Sequence, residues 1–291
     1  MNARRVAAGS DQLQPRENRR GLNAMAILTI SREYRSGGQE IGTAVAERMR
    51  YDYVGKERIL SDLKGQGERW IALLNEVDED RPTLWDRFDW EYRGLMALME
   101  SYIYDRAMGD RVVLVGRGAN FLLEGLPHVL RVRLTAPVEQ RVERVMCKDG
   151  VDRKTAARLI EKMDNDRAAF IRANFHRDWY DVAAYDMVFN SAVQTFQEIT
   201  DIVCGALQEK AGKLSLEAWE LLRGRMLAAR IKAHIATNPK IRIPTLKVFF
   251  DGKSIILQGS VRRMADLQAI GEIVTVSAQG TPVRNELRYR L

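Results

Sequence analysis

The sequence predicts an α/β protein with a parallel sheet, followed by a smaller α+β unit. Short apolar runs such as Ile27–Ile30 and Arg111–Val115 alternate with stretches whose apolar residues recur at helical spacing. Strands that alternate with helices imply a parallel sheet with right-handed crossovers. Beyond residue 215 the apolar period changes to two, at Leu246, Val248 and Phe250, which indicates a hairpin.

Composition places the chain among globular proteins of reducing compartments. Its 291 residues are 46% apolar, enough for an α/β domain plus a small second one. Two cysteines and three histidines provide neither a disulfide framework nor a metal-ligand cluster. No apolar run approaches the roughly 18 residues of a membrane span. We therefore expect a cytoplasmic protein without a transmembrane segment.

The positive charge is concentrated at the C-terminal end. The whole chain carries a net charge of +7, and residues 217–291 alone contain 13 Lys and Arg against 6 Asp and Glu. This excess suggests a protein partner or an anionic membrane surface, although a solvated basic face is the alternative. Nucleic acid is an unlikely partner, because no stacking aromatic residues are set among these arginines.

Residues 1–24 carry arginines with little apolar pattern, which predicts a disordered basic tail. The main domain is expected over 25–210. A linker at 211–214 then leads to an independently folding unit at 215–291.

The first strand, Ile27–Ile30, ends in a polar turn with the paired glycines Gly37 and Gly38. Ile41 and Val45 then begin a helical pattern. A strand, a glycine-containing loop and a helix together point backbone N–H groups at one spot, where a phosphate can bind. A glycine turn that merely connects strand to helix is the alternative.

The loop departs from the standard Walker A pattern G-x-x-x-x-G-K-[ST]. With Gly37 on the second glycine, Arg32 falls on the first and Gly38 on the lysine. The hydroxyl position is taken by Gln39, or by Glu40 in the nucleoside monophosphate kinase pattern. Because the lysine is missing in either alignment, Arg32 or Arg35 is expected to supply the cation.

Two further arginine-containing segments follow. The strand Arg111–Val115 runs into G-R-G-A-N, which places Arg117 at a strand's carboxyl end, where open sheets bind ligands. An exposed loop without a ligand is the alternative. The polar stretch from Arg58 to Asp89, by contrast, has little pattern to predict its shape.

An arginine-rich helical hairpin is predicted after the strand Val129–Leu134. Arg141 and Arg144 share one helix face, and a second helix begins near Asp152. Phosphate-transfer enzymes use such hairpins as lids, because guanidinium groups neutralise the transferring oxygens and closure excludes water. Charge on a solvated helix face is the alternative.

The ordered motifs T-I-S-R-E-Y-x-S-G-G-x-E-I, V-G-R-G-A-N, R-x-x-R, D-x-x-R and Y-D-M-V-F-N-S resemble those of the cytidylate kinase-like family, a divergent branch of the P-loop nucleoside monophosphate kinases. The resemblance covers about residues 26–210. It implies a three-layer fold with five parallel strands in the order 2-3-1-4-5. It also implies ATP and Mg²⁺ as cofactors and CMP or a related nucleotide as acceptor, held near residues 58–89 and Arg117.

The resemblance implies roles for the charged residues. The ATP phosphates would be held by Arg32, Arg35, Ser36, Gly37, Gly38, Gln39 and Glu40, with Glu40 also orienting Mg²⁺. The catalytic residues would be Arg117, Arg141, Arg144, Arg153, Asp164 and Arg167, with Arg117 holding the acceptor and the other four arginines acting as lid or clamp. The retained arginines favour an enzyme, whereas the missing lysine favours a nucleotide-binding sensor or scaffold without turnover.

The C-terminal unit is expected to have the order α-β-β-α-β. Ser215 caps its first helix, and Asp251-Gly252 forms the hairpin turn. The segments I-I-L-Q-G-S-V and V-R-N-E-L resemble a BON domain, a module associated with membrane or protein attachment. Arg284, Arg288 and Arg290 share one face of its last strand.

Overall fold

The computed structural model describes residues 26–79 and 89–290. Over these residues the main sheet has five parallel strands in the order β2-β3-β1-β4-β5, which confirms the expected topology. The strands are Ile27–Arg32 (β1), Asp52–Val54 (β2), Val112–Val115 (β3), Val129–Thr135 (β4) and Met187–Asn190 (β5). The predicted tail, residues 1–24, lies outside the described residues.

Helices connect these strands and continue beyond them. They are Gly38–Met49 (α1), Lys56–Leu63 (α2), Glu68–Glu79 (α3), Trp90–Met108 (α4), Ala119–Leu122 (α5), Val138–Asp149 (α6), Arg153–Phe175 (α7), Phe196–Ala211 (α8), Leu216–Ala236 (α9) and Met264–Ser277 (α10). Within the described ranges, no helix is both long enough and apolar enough to cross a membrane.

The central strand β1 is buried on both faces, as a parallel strand covered by helices should be. Ile27 faces a core that includes residues of α4, whereas Leu28 and Ile30 face a core built with α1 and α8. Alternate residues of a strand point to opposite faces, so three layers result. The loop after β1 therefore begins in the middle of the edge where the parallel strands end.

Two helices, α2 and α3, occupy much of the stretch from Arg58 to Asp89, for which the sequence predicted no regular shape. Each buries an apolar pair four residues apart, Ile59 with Leu63 and Trp70 with Leu74. This spacing places both members of a pair on one helix face. Charged residues surround these pairs in the sequence, so the apolar pattern that would predict the two helices is weak.

The C-terminal unit has the predicted element order. Its sheet contains Lys247–Phe250 (β6), Ile255–Val261 (β7) and Val283–Tyr289 (β8) in the order β6-β7-β8. β6 and β7 are antiparallel, and β8 joins β7 in parallel. The hairpin turn is closed by the Asp251 side chain, which accepts hydrogen bonds from the backbone N–H groups of Lys253 and Ser254.

The C-terminal unit does not close a core of its own. Helix α9 packs along α4, and one continuous apolar cluster joins both helices to the small sheet. Arg230 contacts Asp105 at 2.7 Å, and Lys232 contacts Glu100 at 2.7 Å across this interface. Helix α9 therefore belongs to a core shared with the main domain, and the independent folding of residues 215–291 stays a prediction.

Candidate active site

The candidate site lies at the carboxyl ends of β1, β3 and β4. The backbone N–H of Gly116 donates to the carbonyl of Ile30 at 2.9 Å, and that of Glu33 donates to the carbonyl of Leu134 at 3.0 Å. These bonds place the Ser-Gly-Gly loop, residues 33–37, beside the G-R-G turn, residues 116–118. Ligands of open parallel sheets bind at this edge.

Helix α1 presents uncapped backbone N–H groups at this edge. Its first internal hydrogen bond runs from the N–H of Ile41 to the carbonyl of Gly37 at 3.0 Å, so the N–H groups of residues 38–40 precede the helical ladder. No side chain caps α1, whereas Asp89 and Asp152 cap α4 and α7. Such an N-terminus can bind an anion through its N–H groups and the helix dipole.

The glycines of the loop are required by its geometry. Gly37 has φ +93°, a left-handed conformation that favours glycine, and a Cβ there would overlap the ring of Phe196. A Cβ at Gly38 would overlap the side chain of Arg32. Because glycine lets these groups approach, the Arg32 side chain can run across the first turn of α1.

Three arginines of α6 and α7 donate to three backbone carbonyls of the segment 32–35. Arg167 Nη1 donates to the carbonyl of Arg32 at 2.9 Å, and Arg141 Nη1 donates to that of Tyr34 at 3.3 Å. Arg144 Nη1 donates to the carbonyl of Arg35 at 3.1 Å. The arginines predicted from the helical hairpin thus converge on the loop backbone.

These contacts determine where the loop N–H groups point, because the C=O and N–H of a trans peptide face opposite ways. Arg141 holds the Tyr34 carbonyl toward α6, so the N–H of Arg35 points away from α6. The N–H of Tyr34 donates to Asp164 Oδ1 at 2.7 Å, and that of Ser36 donates to the carbonyl of Glu33 at 3.2 Å. The N–H of Arg35 is therefore directed to the side of the loop opposite α6.

Two carboxylates hold the arginines in turn. Asp164 accepts a hydrogen bond from Arg141 and lies 3.9 Å from Arg167 Nη1. Glu33 accepts from the N–H of Ala136 at 3.1 Å and lies 3.7 Å from Arg141 Nη2. Arg141 itself is only 5% exposed. A charge so deeply buried is tolerated when it is paired and hydrogen-bonded, as it is here.

Arg141 and Arg144, which the sequence offered as lid or clamp residues, contact the loop itself, and their role toward a bound substrate stays a prediction. The guanidinium of Arg141 is engaged with Ala136, Tyr34 and Asp164, and that of Arg144 with the loop and Ser191. Their described hydrogen bonds therefore hold the loop in place.

The structure separates the two arginines proposed to replace the lysine. Arg35 has φ +61°, a left-handed conformation that glycine adopts more readily than other residues, and its Nη2 donates to both oxygens of Asp149 at 2.5 and 2.8 Å. Burial lowers the pKa of Arg35, but the bonds to Asp149 outweigh it and raise the pKa overall. Arg32 instead brings Nη1 against Gly116, where a Cβ would overlap it. Arg32 therefore lies between α1 and the G-R-G turn.

Arg117 occupies the tip of the G-R-G turn at the carboxyl end of β3. Gly116, Arg117 and Gly118 have φ of 86°, 57° and 73°, three successive left-handed residues. A Cβ at Gly118 would overlap the ring of Phe175 at the end of α7. The turn is therefore packed against α7, and it carries Arg117 at the same sheet edge as the loop.

Magnesium would have one protein carboxylate here. Glu40 lies in the first turn of α1, is half exposed, and lies 3.8 Å from Lys148 Nζ. In the part of the chain that the structure describes, no group of three or more His, Cys, Asp or Glu could hold a metal ion. This donor set fits Mg²⁺ as nucleotide-dependent enzymes bind it, through one or two carboxylates, phosphate oxygens and water.

The remaining residues that the sequence predicted for the site are Ser36, Gln39 and Arg153. The Ser36 hydroxyl is buried and donates to the carbonyl of Glu33 at 2.9 Å, so it braces the loop from inside. Gln39 is exposed on α1. Arg153 is exposed in the first turn of α7, eleven residues before Asp164, or about 16 Å along the helix. The structure thus separates Arg153 from the arginines that hold the loop.

Sequence reasoning gave no role to several residues of the site. Glu33 and Tyr34 belong to the motif T-I-S-R-E-Y-x-S-G-G-x-E-I, so the sequence did contain a signal for them. Asp149 and Phe196 carried no signal, because they meet Arg35 and Gly37 only through contacts more than 100 residues apart in the chain.

The sheet order, the loop and the arginine network define an α/β protein of the P-loop kinase class. The model of the cytidylate kinase-like family matches residues 27–193. The chain belongs to this family.

The chain is also similar to individual proteins, two of which are named cytidylate kinases. The cytidylate kinase of Methanocorpusculum labreanum is 24% identical over 180 residues, covering 62% of this chain and 95% of the relative. That of Sulfolobus acidocaldarius is 23% identical over 184 residues, covering 63% and 94%. An uncharacterized protein from Eubacterium ventriosum aligns in structure with a TM-score of 0.49 and 24% identity, over 62% of this chain and 98% of that one.

Proposed function

We propose that this chain transfers a phosphoryl group from ATP to a nucleoside monophosphate, with CMP as the first acceptor to test. The observation that carries the proposal is the set of backbone N–H groups at the uncapped start of α1, residues 38–40, together with that of Arg35, whose peptide is held by the buried Arg141. Family membership and relatives named cytidylate kinases support the class of acceptor.

The donor phosphates bind in the loop. The N–H groups of residues 38–40 and of Arg35 donate to phosphate oxygens, and Arg32 supplies the positive charge that a P-loop lysine otherwise provides. Glu40 holds Mg²⁺, directly or through water. When bound, Mg²⁺ neutralises charge on the phosphate oxygens.

The acceptor and the transfer step involve the neighbouring turn. Arg117 binds the acceptor phosphate, one oxygen of which attacks the γ-phosphorus while the bond to the bridging oxygen of ADP breaks. Arg153, at the exposed end of the α6–α7 hairpin, is the candidate for closing over the phosphates. Arg141, Arg144, Asp164 and Arg167 are positioning residues that keep the loop N–H groups aimed at the donor.

A nucleotide-binding sensor or scaffold without turnover is the second candidate. Gly38 stands at the lysine position, and Arg35, one of the two substitutes, is bound to Asp149. A site that binds ATP but lacks a cation on the transferring phosphate would bind without efficient transfer.

The experiment that separates the two candidates combines turnover with binding. The full chain is incubated with ATP and Mg²⁺ against CMP, UMP, dCMP and AMP, and ADP formation is followed, while calorimetry measures ATP binding in parallel. An acceptor-dependent rate supports the kinase, and ATP binding without such a rate supports the sensor. If ATP does not bind at all, both fail.

We also propose that residues 215–291 form a BON-like unit that attaches the protein to an anionic membrane surface. An open groove in this unit is lined by Lys240, Arg242, Arg262, Arg263 and Arg290. Among the residues that the structure describes, Arg263 has an acidic partner, Asp266 at 2.5 Å, and the other four cations of the groove have none. Arg284 from the predicted basic face is instead neutralised by Glu286 at 2.7 Å and Asp251 at 3.5 Å.

The attachment is tested on the full chain, because α9 shares a core with α4. Sedimentation with phosphatidylcholine vesicles, with and without phosphatidylserine, should show binding only to the anionic ones. Binding should fall as salt shortens the Debye length to about 8 Å at physiological strength and below. Arg242→Glu should weaken it, whereas the already paired Arg284→Gln should not. Absence of vesicle binding at low salt would point to a protein partner.

A further inference from the structure

A second cleft lies where the kinase-like core meets the C-terminal unit. Its volume is about 230 Å³, and it opens between the start of α4, the end of α7 and the end of α9. The polar and aromatic lining residues are Trp90, Tyr92, Arg93, Asn174, His176 and Lys232. Because α9 lies beyond the family match, which ends at residue 193, this wall is a feature of the present chain.

Arg93 is the unusual group in this cleft. Its guanidinium is half-buried, and none of the described carboxylates or carbonyls accepts a hydrogen bond from it. Burial lowers the pKa of Arg93, with no neighbouring anion to offset the loss of hydration. Lys232, by contrast, is paired with Glu100 at 2.7 Å. An unpaired, partly desolvated cation in a cleft is a site where an anion binds favourably.

The remainder of the lining selects the kind of anion. None of the described residues that line the cleft is acidic, and Met96, Ile243 and Leu246 supply apolar contact. Trp90 adds an aromatic side chain to the same lining, and the side chains of Tyr92 and Asn174 are hydrogen-bonded to each other at 2.8 Å. A flat ring and a phosphate on one small molecule would use both halves of this lining.

We propose that this cleft binds a small organic phosphate of the nucleoside monophosphate class, with Arg93 as its phosphate ligand. The bound molecule contacts α4 and α7 of the core and α9 of the C-terminal unit together. The binding does not depend on phosphoryl transfer, so the two proposals can fail separately.

Helix α7 links the cleft to the loop. Asn174 lines the cleft, and Phe175 packs on Gly118 of the G-R-G turn. Arg167, seven residues earlier and about 10 Å along the same helix, donates to the carbonyl of Arg32. A ligand that contacts the end of α7 therefore contacts the helix that packs on the G-R-G turn and holds the loop after β1.

Calorimetry without ATP tests the proposal on the full chain. CMP should bind, AMP should bind to a similar degree, and cytidine, which lacks the phosphate, should bind at least tenfold more weakly. Arg93→Gln should weaken CMP binding by about tenfold or more, since it removes a charge-assisted hydrogen bond. Arg93→Lys should retain part of the affinity. Arg172→Gln, an exposed arginine of α7, is the matched control and should bind as the parent does.

Equal CMP affinity in the parent and in Arg93→Gln, with both proteins folded by circular dichroism, would overturn the proposal. Equal affinity for CMP and cytidine would overturn the role of the anion. Steady-state kinetics then separate this cleft from the acceptor site at Arg117. An unchanged KM for CMP in Arg93→Gln, together with lost ATP-independent binding, supports a second site, whereas a raised KM for CMP would overturn it.

Discussion

Replacing Arg141 with Leu should release the Ser-Gly-Gly loop, and the structure allows the cost to be worked out. The side chain is 5% exposed and donates to Asp164 and to the carbonyls of Ala136 and Tyr34. Its loss leaves the Asp164 carboxylate buried beside fewer donors. Breaking a buried pair from one side costs about 3–5 kcal/mol. At about 2–4 °C per kcal/mol for a protein near this size, Tm should fall by roughly 6–20 °C.

Urea unfolding of a double-mutant cycle measures this directly. Asp164→Asn, combined with Arg141→Leu, should cost clearly less than the sum of the single changes, because each single variant leaves one charge of the pair without its partner and the double variant removes both charges. Arg153→Gln, an exposed arginine of the same hairpin, should change stability by no more than about 0.5 kcal/mol. Arg141→Leu should also abolish the stabilisation by ATP, which depends on ordered loop N–H groups. Parent-like stability and ATP response in Arg141→Leu would refute the positioning role.

Three further predictions follow from the same contacts. Arg32→Ala should weaken ATP binding or turnover by about tenfold or more. Arg35→Ala should weaken ATP binding less, because Arg35 is bound to Asp149. Equal losses of ATP affinity in calorimetry would contradict the assignment of the cation to Arg32. Glu40→Gln should raise the Mg²⁺ concentration needed for half-maximal rate more than it changes ATP affinity, and an unchanged Mg²⁺ titration would remove Glu40 from the metal site. Residues 215–291 expressed alone should be less helical and less stable by circular dichroism than within the full chain, because α9 loses its contact with α4. A fragment as stable as the intact protein would show instead that these residues form an independent domain.

Local patterns were sufficient to predict most of the main domain. The alternation of buried strands with helical periods predicted the α/β class, and the family resemblance supplied the strand order that the structure confirms. The capping box at Thr195 and Glu198 is present at the start of α8, as its sequence pattern indicated. Such features depend on residues a few positions apart, which is why sequence alone contains them.

The arginine network could not be predicted in the same way. Arg141, Arg144 and Arg167 reach loop carbonyls 107 to 135 positions away in the chain, and backbone carbonyls leave no mark in a sequence. The sequence pattern alone therefore suggested a lid for the arginine-rich α6–α7 hairpin. The contact of α9 with α4 was missed for a similar reason, since a change of apolar period marks a new unit but does not say what covers its helix.

The central claim is that the loop held by these arginines supports phosphoryl transfer. The most direct measurement is the initial rate of CDP and ADP formation from CMP and ATP with Mg²⁺, compared between the parent and Arg32→Ala, with ATP binding followed by calorimetry. The account predicts a CMP-dependent rate in the parent that falls at least tenfold in Arg32→Ala. ATP binding with no CMP-dependent rate above the buffer control, across the monophosphates tested, would contradict it and leave a nucleotide-binding protein without turnover.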